Sequence, residues 1–313
     1  MGRRLASLGA TAVLVAACSG TVPAVVQPGG PAAATSPAYE AAGLAEATAR
    51  PTAAPAPVAT AESIPAPPSF WPVPSGSAVP DAGFVLRVPI LTYHRIVPQD
   101  EAGDALPGLV VSPELFDAHM AALHEAGWHT LTVAELAETL ASGVAVPPRT
   151  FAITIDDGWS DGYTYALPIL VRYGFRATYY VIGGRVGVLS AALSAAQVVG
   201  LVDAGMEIGD HTWDHQGLAN LDAVRLHDEV AAPAGRIRSL VGQSPVTFAY
   251  PSGRYDAAAA AELEADGFSM AVTTQSGALE TWADRFAVPR LRVGPYMSPE
   301  GLLGLLRTLE PGS

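Results

Sequence analysis

The chain contains a single cysteine, Cys18. Without a second thiol there is no internal disulfide, so any folded domain must stand on its apolar core. Charge is also scarce: 15% of the 313 residues are charged against 50% that are hydrophobic, which leaves material for a large core. What charge there is leans acidic, with 17 Lys+Arg against 30 Asp+Glu and a formal net charge of −13. Lack of basic excess argues against a nucleic-acid partner, because phosphate binding rests on clustered cations. It suits a neutral or cationic substrate. No internal repeat is visible. The apolar run at the N-terminus, Leu5 to Ala17, falls short of the ~20 residues that a membrane-spanning helix needs.

That run is a targeting signal instead. Gly2-Arg3-Arg4 puts positive charge ahead of it, and it ends in Val15-Ala16-Ala17-Cys18. The ending resembles the lipobox of bacterial lipoproteins, in which cleavage precedes the cysteine and the thiol is lipidated. We therefore expect a signal peptide over 1–17 and a lipid anchor at Cys18, holding an exported protein on the outer face of the bacterial cell membrane. The alternative is an ordinary cleaved signal and a secreted protein. Residues 18–83 are rich in Ala, Pro, Thr, Val and Ser, with no sustained period. Proline opposes regular helix and small residues build no core, so this segment reads as a disordered tether.

The pattern changes near Phe84, and 84–313 is the expected folded domain. VLRVPILTYHRI (85–96) reads as a strand, as do 151–155, 177–182, 206–209, 246–250, 270–274 and 289–293. Between them lie helical stretches. Ser112-Pro113-Glu114 and Ser298-Pro299-Glu300 open two of them, Thr132 to Glu135 forms a capping box, and Ser194 and Asp256 open two more. A long stretch near 219–241 carries Pro233, which predicts a kink or break. Strands alternating with helices predict an α/β fold with a parallel sheet, and this many units predicts a closed or nearly closed β/α barrel.

In such barrels chemistry gathers at the C-terminal ends of strands. Four expected strand ends carry polar residues suited to it: His94, the adjacent acids Asp156 and Asp157, the pair His211 and His215, and Tyr250-Pro-Ser-Gly-Arg254. Two adjacent carboxylates at a buried strand end are costly unless a cation, a proton or a reacting group shares the site. Two histidines four residues apart can converge on one ion, and two imidazoles with one carboxylate make a good divalent site with positions left open. One aspartate then ligates while its neighbour stays free to take a proton. Taken singly, Asp-Asp-Gly is commonly a turn and HxxxH commonly structural. Trp159 and Trp213 flank the two motifs and either line a sugar groove or pack. His119, His124, His129 and His227 fall on or near expected helices and read as surface or core residues.

Together the motifs resemble those of the polysaccharide deacetylases, the NodB-homology domains of carbohydrate esterase family 4. Thr154-Ile-Asp-Asp-Gly158, His211-Thr-Trp-Asp-His215 and Phe248-Ala-Tyr-Pro-Ser-Gly253 match the family's first three motifs in order. The third takes the form found in the poly-N-acetylglucosamine deacetylase branch, and the similarity spans about residues 87 to 296. The resemblance implies a distorted (β/α) barrel of the NodB type. It implies Asp156 as general base and Asp157, His211 and His215 as ligands of a divalent metal, usually Zn2+, with Co2+ or Ni2+ as alternatives. In that branch a histidine in an N-terminal L-x-Y-H segment serves as general acid, which here is His94; no histidine follows His227.

The third motif departs from the family. Ala249 stands where arginine is common and Ser252 where tyrosine is common. A backbone N–H at Ser252 still serves as the oxyanion donor, with Tyr250 beside it on the substrate side. Arg290 takes the place of the missing arginine, with Arg292 second and Arg254 left as loop surface. The implied reaction is hydrolysis of acetyl groups from N-acetylglucosamine units of poly-N-acetylglucosamine, peptidoglycan or a chitin-like polymer, by a monomer. Three alternatives stay open: an O-acetyl (xylan) esterase, a non-catalytic glycan-binding protein on the same fold, and a non-haem iron oxygenase.

Overall fold

The computed structural model describes residues 83–310. The expected signal, Cys18 and nearly all of the tether lie outside the described residues. In chain order the elements are β1 (Val85–Leu86), β2 (Ile90–Tyr93), β3 (Arg95–Ile96), β4 (Val110–Val111), α1 (Pro113–Glu125), β5 (His129–Leu131) and α2 (Val133–Ser142). There follow β6 (Thr150–Ile155), α3 (Leu167–Arg172), β7 (Thr178–Val181), α4 (Ala195–Asp203), β8 (Glu207–Asp210), α5 (Ala223–Val241) and β9 (Thr247–Ala249). The last are α6 (Ala257–Ala265), β10 (Met270–Val272), β11 (Glu280–Thr281), β12 (Leu291–Arg292) and α7 (Pro299–Thr308).

Side-chain caps set the helix starts. Ser112, Thr132, Ser194, Asp222, Asp256 and Ser298 each accept a backbone N–H from the first turn of α1, α2, α4, α5, α6 and α7. The capping box at Thr132 and Glu135 forms as expected, and a second closes between Ser194 and Gln197. Each such cap typically contributes about 1 kcal/mol.

The main sheet is parallel, in the order β10-β9-β8-β7-β6-β2-β12. Ala152 of β6 pairs with both Ile90 and Leu131. Thus β5 lies opposite β2, on the edge that β7 occupies further along. The sheet curls until its ends nearly meet. Val288 bridges to Val272 of β10, with Thr273 N–H donating to the Val288 carbonyl at 2.8 Å. Three residues later the same segment becomes β12 and pairs with β2. One short segment therefore closes the ring by changing neighbours, which makes the distorted barrel.

Strand alternation sorts the side chains. Leu91, Tyr93, Phe151, Ile153, Ile155, Tyr179 and Val181 pack outward in one core with Phe116 of α1, Leu170 of α3 and Leu201 of α4. Ile90, Ala152, Tyr180, Ala249, Met270, Val272 and Val288 form a second cluster with Leu136 and Leu140 of α2. Every residue of β6 is buried, so it needs apolar or satisfied side chains on both faces.

Three expectations change. The strand expected over 85–96 is broken: β1 leaves the main sheet and pairs antiparallel with β11. Pro89, which has no N–H to give a ladder, precedes β2. His129, placed near a helix from sequence, opens β5 instead. The stretch near 219–241 is one continuous helix from Ala223, with Pro233 inside it and no break.

Candidate active site

The ends of β2, β6 and β8, together with the seam segment, deliver the polar residues to one mouth. Asp156 continues the alternation of Ala152 and Thr154, so its side chain turns into the ring. It is 2% exposed. Arg290, 3% exposed, meets it there as a fork, Nη1 donating to Oδ1 at 2.8 Å and Nη2 to Oδ2 at 2.7 Å. The same guanidinium donates to Thr154 Oγ1 at 2.9 Å and, through Nε, to the Thr273 carbonyl at 2.9 Å. Burial pushes the Asp156 carboxyl up, but the charge and hydrogen bonds of Arg290 outweigh it and hold the group below the usual carboxylate range. Asp156 is therefore ionised at neutral pH, and a carboxylate that accepts a fork still has lone pairs to offer. Arg292 is exposed on β12 and Arg254 is exposed in its loop.

Asp157 turns the other way because its backbone is left-handed, at φ 74°. Its Oδ1 lies 3.4 Å from His211 Nε2 and 3.3 Å from His215 Nε2. Metal–ligand bonds of about 2.05 Å in a tetrahedron put ligand atoms about 3.3 Å apart, so both distances fit an ion held between the three. His211 is oriented for it. Its Nδ1 donates to the Ala249 carbonyl at 2.6 Å, which leaves the Nε2 lone pair aimed at Asp157. The two imidazole rings meet edge to face, centroids 5.0 Å apart. Two imidazoles and one carboxylate suit a borderline divalent ion such as zinc, with a position left open.

Among the described residues, one other cluster brings three such donors together: His227, Glu262 and Asp266. There His227 pairs with Glu262 at 2.8 Å on an exposed helix face, an ordinary surface ion pair.

His94 follows β2 at the same mouth and is half-buried. Burial lowers its pKa and outweighs the charges of Asp156 and Asp157, which push it up. Ser252 is exposed on the turn after β9 with φ 55°. Gly253 presses that turn against its neighbour: a Cβ there would sit 2.2 Å from Thr274 Oγ1 and 3.0 Å from its backbone nitrogen.

The aromatic expectations divide. Tyr250 is fully buried, its ring stacked on Tyr255 at 4.4 Å and its N–H spent on the Val272 carbonyl. Its ring packs in the core with Phe248, Leu263 and Phe268. Trp159 donates its indole N–H to Asp157 Oδ2 at 3.3 Å, and the Arg95 guanidinium covers its ring at 4.6 Å. Trp213, 40% exposed, lies against Gly184. Sequence reasoning overlooked Trp159 as a partner of Asp157 and Thr154 as a partner of Arg290. Alternation within β6 was the signal for Thr154, which shares the face of Asp156.

A family model described as polysaccharide deacetylase matches residues 143–271. YxkH of Bacillus subtilis (strain 168), named as a polysaccharide deacetylase, is 34% identical over 212 residues, covering 68% of this chain and 73% of the relative. The structure of the Streptococcus pyogenes deacetylase PplD in complex with acetate aligns with a TM-score of 0.66 at 30% identity, covering 72% of this chain and 99% of that one. The peptidoglycan-N-acetylglucosamine deacetylase PgdA of Listeria monocytogenes serotype 1/2a (strain 10403S) is 28% identical over 136 residues, 40% of this chain and 27% of that protein. The acid pair and both histidines fall inside the span the family model matches, and a relative aligns over most of its own length. The chain belongs to the polysaccharide deacetylase family, hydrolases that act on amide bonds.

Proposed function

We propose that this protein removes acetyl groups from N-acetylglucosamine units of a cell-wall or extracellular polysaccharide, and that it does so with a divalent ion, zinc before cobalt or nickel, held by Asp157, His211 and His215. The observation that carries the reading is the approach of both Nε2 atoms to one oxygen of Asp157, beside an ionised, unligated Asp156. The name of the Listeria relative speaks for a peptidoglycan substrate.

A bound ion supplies Lewis-acid polarisation of a carbonyl and acidifies water at neutral pH. The chain's own residues do the rest. Asp156, kept ionised by Arg290, accepts the proton that the attacking water gives up. The backbone N–H at Ser252 donates to the oxygen on which negative charge develops. His94 gives a proton to the departing amine, and acetate leaves. Burial, the largest influence, holds the His94 pKa below its usual value, and the charges of the two aspartates oppose that fall only in part.

The lipobox-like end at Cys18 supports an enzyme tethered to the outer face of the bacterial membrane, where such polymers lie. Acetate release from peptidoglycan, poly-N-acetylglucosamine, chitin oligomers and O-acetylated xylan tests the whole reading. The protein is first stripped of metal and then reloaded with zinc, cobalt or nickel. We expect release from an N-acetylated polymer, lost on stripping and restored on reloading. Release from acetylated xylan alone overturns the amide assignment, and release unaffected by stripping overturns the metal.

A further inference from the structure

The loop that carries both histidines is held in an uncommon shape. Thr212 and His215 have left-handed backbones, at φ 65° and 74°. For residues with a Cβ each such angle costs about 1 kcal/mol or more, most of all for β-branched threonine. Something must over-determine the loop for it to persist. Two elements grip it. From one side, Gly183 and Gly184 N–H donate to the carbonyls of Thr212 (3.0 Å) and Trp213 (2.9 Å). From the other, Glu229 Oε2 accepts the N–H of Trp213 (2.9 Å) and of Asp214 (3.3 Å). Successive N–H groups after a left-handed residue form a concavity that takes an anion, and here the anion is the protein's own carboxylate.

Glu229 does not sit there cheaply. Its side chain is 0% exposed in the middle of α5, and burying a carboxylate costs several kcal/mol unless it is paired and hydrogen-bonded. Arg225, one turn earlier, offsets part of this, lying 2.6 Å from Glu229 Oε1 and reaching Asp214 Oδ2 at 2.6 Å. Pro233, one turn later on the same face, brings the helix close: a Cβ on Gly183 would lie 2.5 Å from the Pro233 Cβ. The loop between His211 and His215 thus rests on α5 through a buried, charged clamp.

We infer that Glu229 is a positioning residue, setting where His211 and His215 stand and so how tightly they hold an ion. This rests on the metal reading above. Full-chain wild type, Glu229→Gln and Arg225→Gln are compared in three measurements: zinc affinity by competition with a chromophoric chelator, amide hydrogen exchange of the metal-free protein, and melting temperature. Glu229→Gln removes the charge and keeps the size. We expect its zinc Kd to rise about 10- to 100-fold, the usual effect of losing a group that orients metal ligands. Exchange at Trp213 and Asp214 should quicken before any ion is added. Arg225 lies at the exposed end of the clamp, 43% exposed, so Arg225→Gln opens no cavity in the core while it unpairs Glu229, and it should weaken zinc about two- to fivefold. It decides the matter should the first variant not fold.

A lower melting temperature with unchanged zinc Kd in the variants makes Glu229 a mere brace and overturns the inference. Wild-type protein that takes up no zinc overturns the metal reading itself, a separate result.

Discussion

Replacing Arg290 by methionine tests how the acid pair is sustained. The guanidinium gives Asp156 two hydrogen bonds, of 2.8 and 2.7 Å, and both side chains are nearly enclosed, at 2% and 3% exposure. Methionine fills similar space and strands the carboxylate. With charge centres about 4 Å apart and an effective dielectric near 20, the lost attraction is about 4 kcal/mol. That agrees with the roughly 3–5 kcal/mol paid when one partner of a buried pair is removed. We expect Arg290→Met to lose about this much unfolding free energy at pH 7, read by denaturant titration. The pH dependence should also reverse. In the wild type the folded pKa of Asp156 lies below its ordinary 3.8, so its stabilisation is full above that value and fades as pH falls through the folded one. In the variant the strongest influence opposing burial is gone and the folded pKa rises. Stability is then greatest below 3.8 and falls as pH climbs through the new value. Adding Asp156→Asn should recover part of the loss, since no charge is left stranded. A single variant as stable as wild type at pH 7, with the same pH slope, refutes the reasoning.

Asp156→Asn should lower acetate release by about two to four powers of ten with metal content unchanged by elemental analysis, because it removes the proposed base and none of the proposed ligands. Glu280 is fully buried with Val88 N–H donating to it, and burial pushes its pKa from 4.5 to about 8. Its contribution to stability is therefore whole below about pH 4.5 and drains away as pH rises through about 8, by at most about 1.4 kcal/mol per unit; thermal melts of Glu280→Gln should show a flatter profile over that window. Gly253→Ala should cost about 2 kcal/mol or more in chemical denaturation, because the new methyl meets Thr274 in a left-handed turn. Cys18→Ser should move the protein from the membrane pellet to the soluble fraction, and a variant that still sediments would remove the anchor.

Much of this was legible because the signals are local. Ser112, Thr132 and Ser298 announce helices through caps that need only four residues. The acid pair is visible as a charge anomaly at the end of an apolar run, and His211 and His215 through their spacing. The burial of the Tyr250 ring was not legible, because a motif fixes the backbone but not which face of the sheet a ring takes. The break at Pro89 and the three-residue β5 are decided by pairing with β11 and β6, far off in sequence. Glu229 was invisible for a related reason: with Arg225 at i,i+4 it reads as a solvated surface pair, and only the docking of α5 against the histidine loop buries it.

The seam of the barrel has a consequence for synthesis. Asp156 emerges from the ribosome 134 residues before the arginine that keeps it charged. Until the segment from Val288 to Arg292 swings in to join β10 and β2, the nascent chain holds a lone carboxylate facing an unfinished interior. A polypeptide truncated before that point has its histidines and both acids but not Arg290, so on the proposed mechanism the base gains its partner only when the barrel closes.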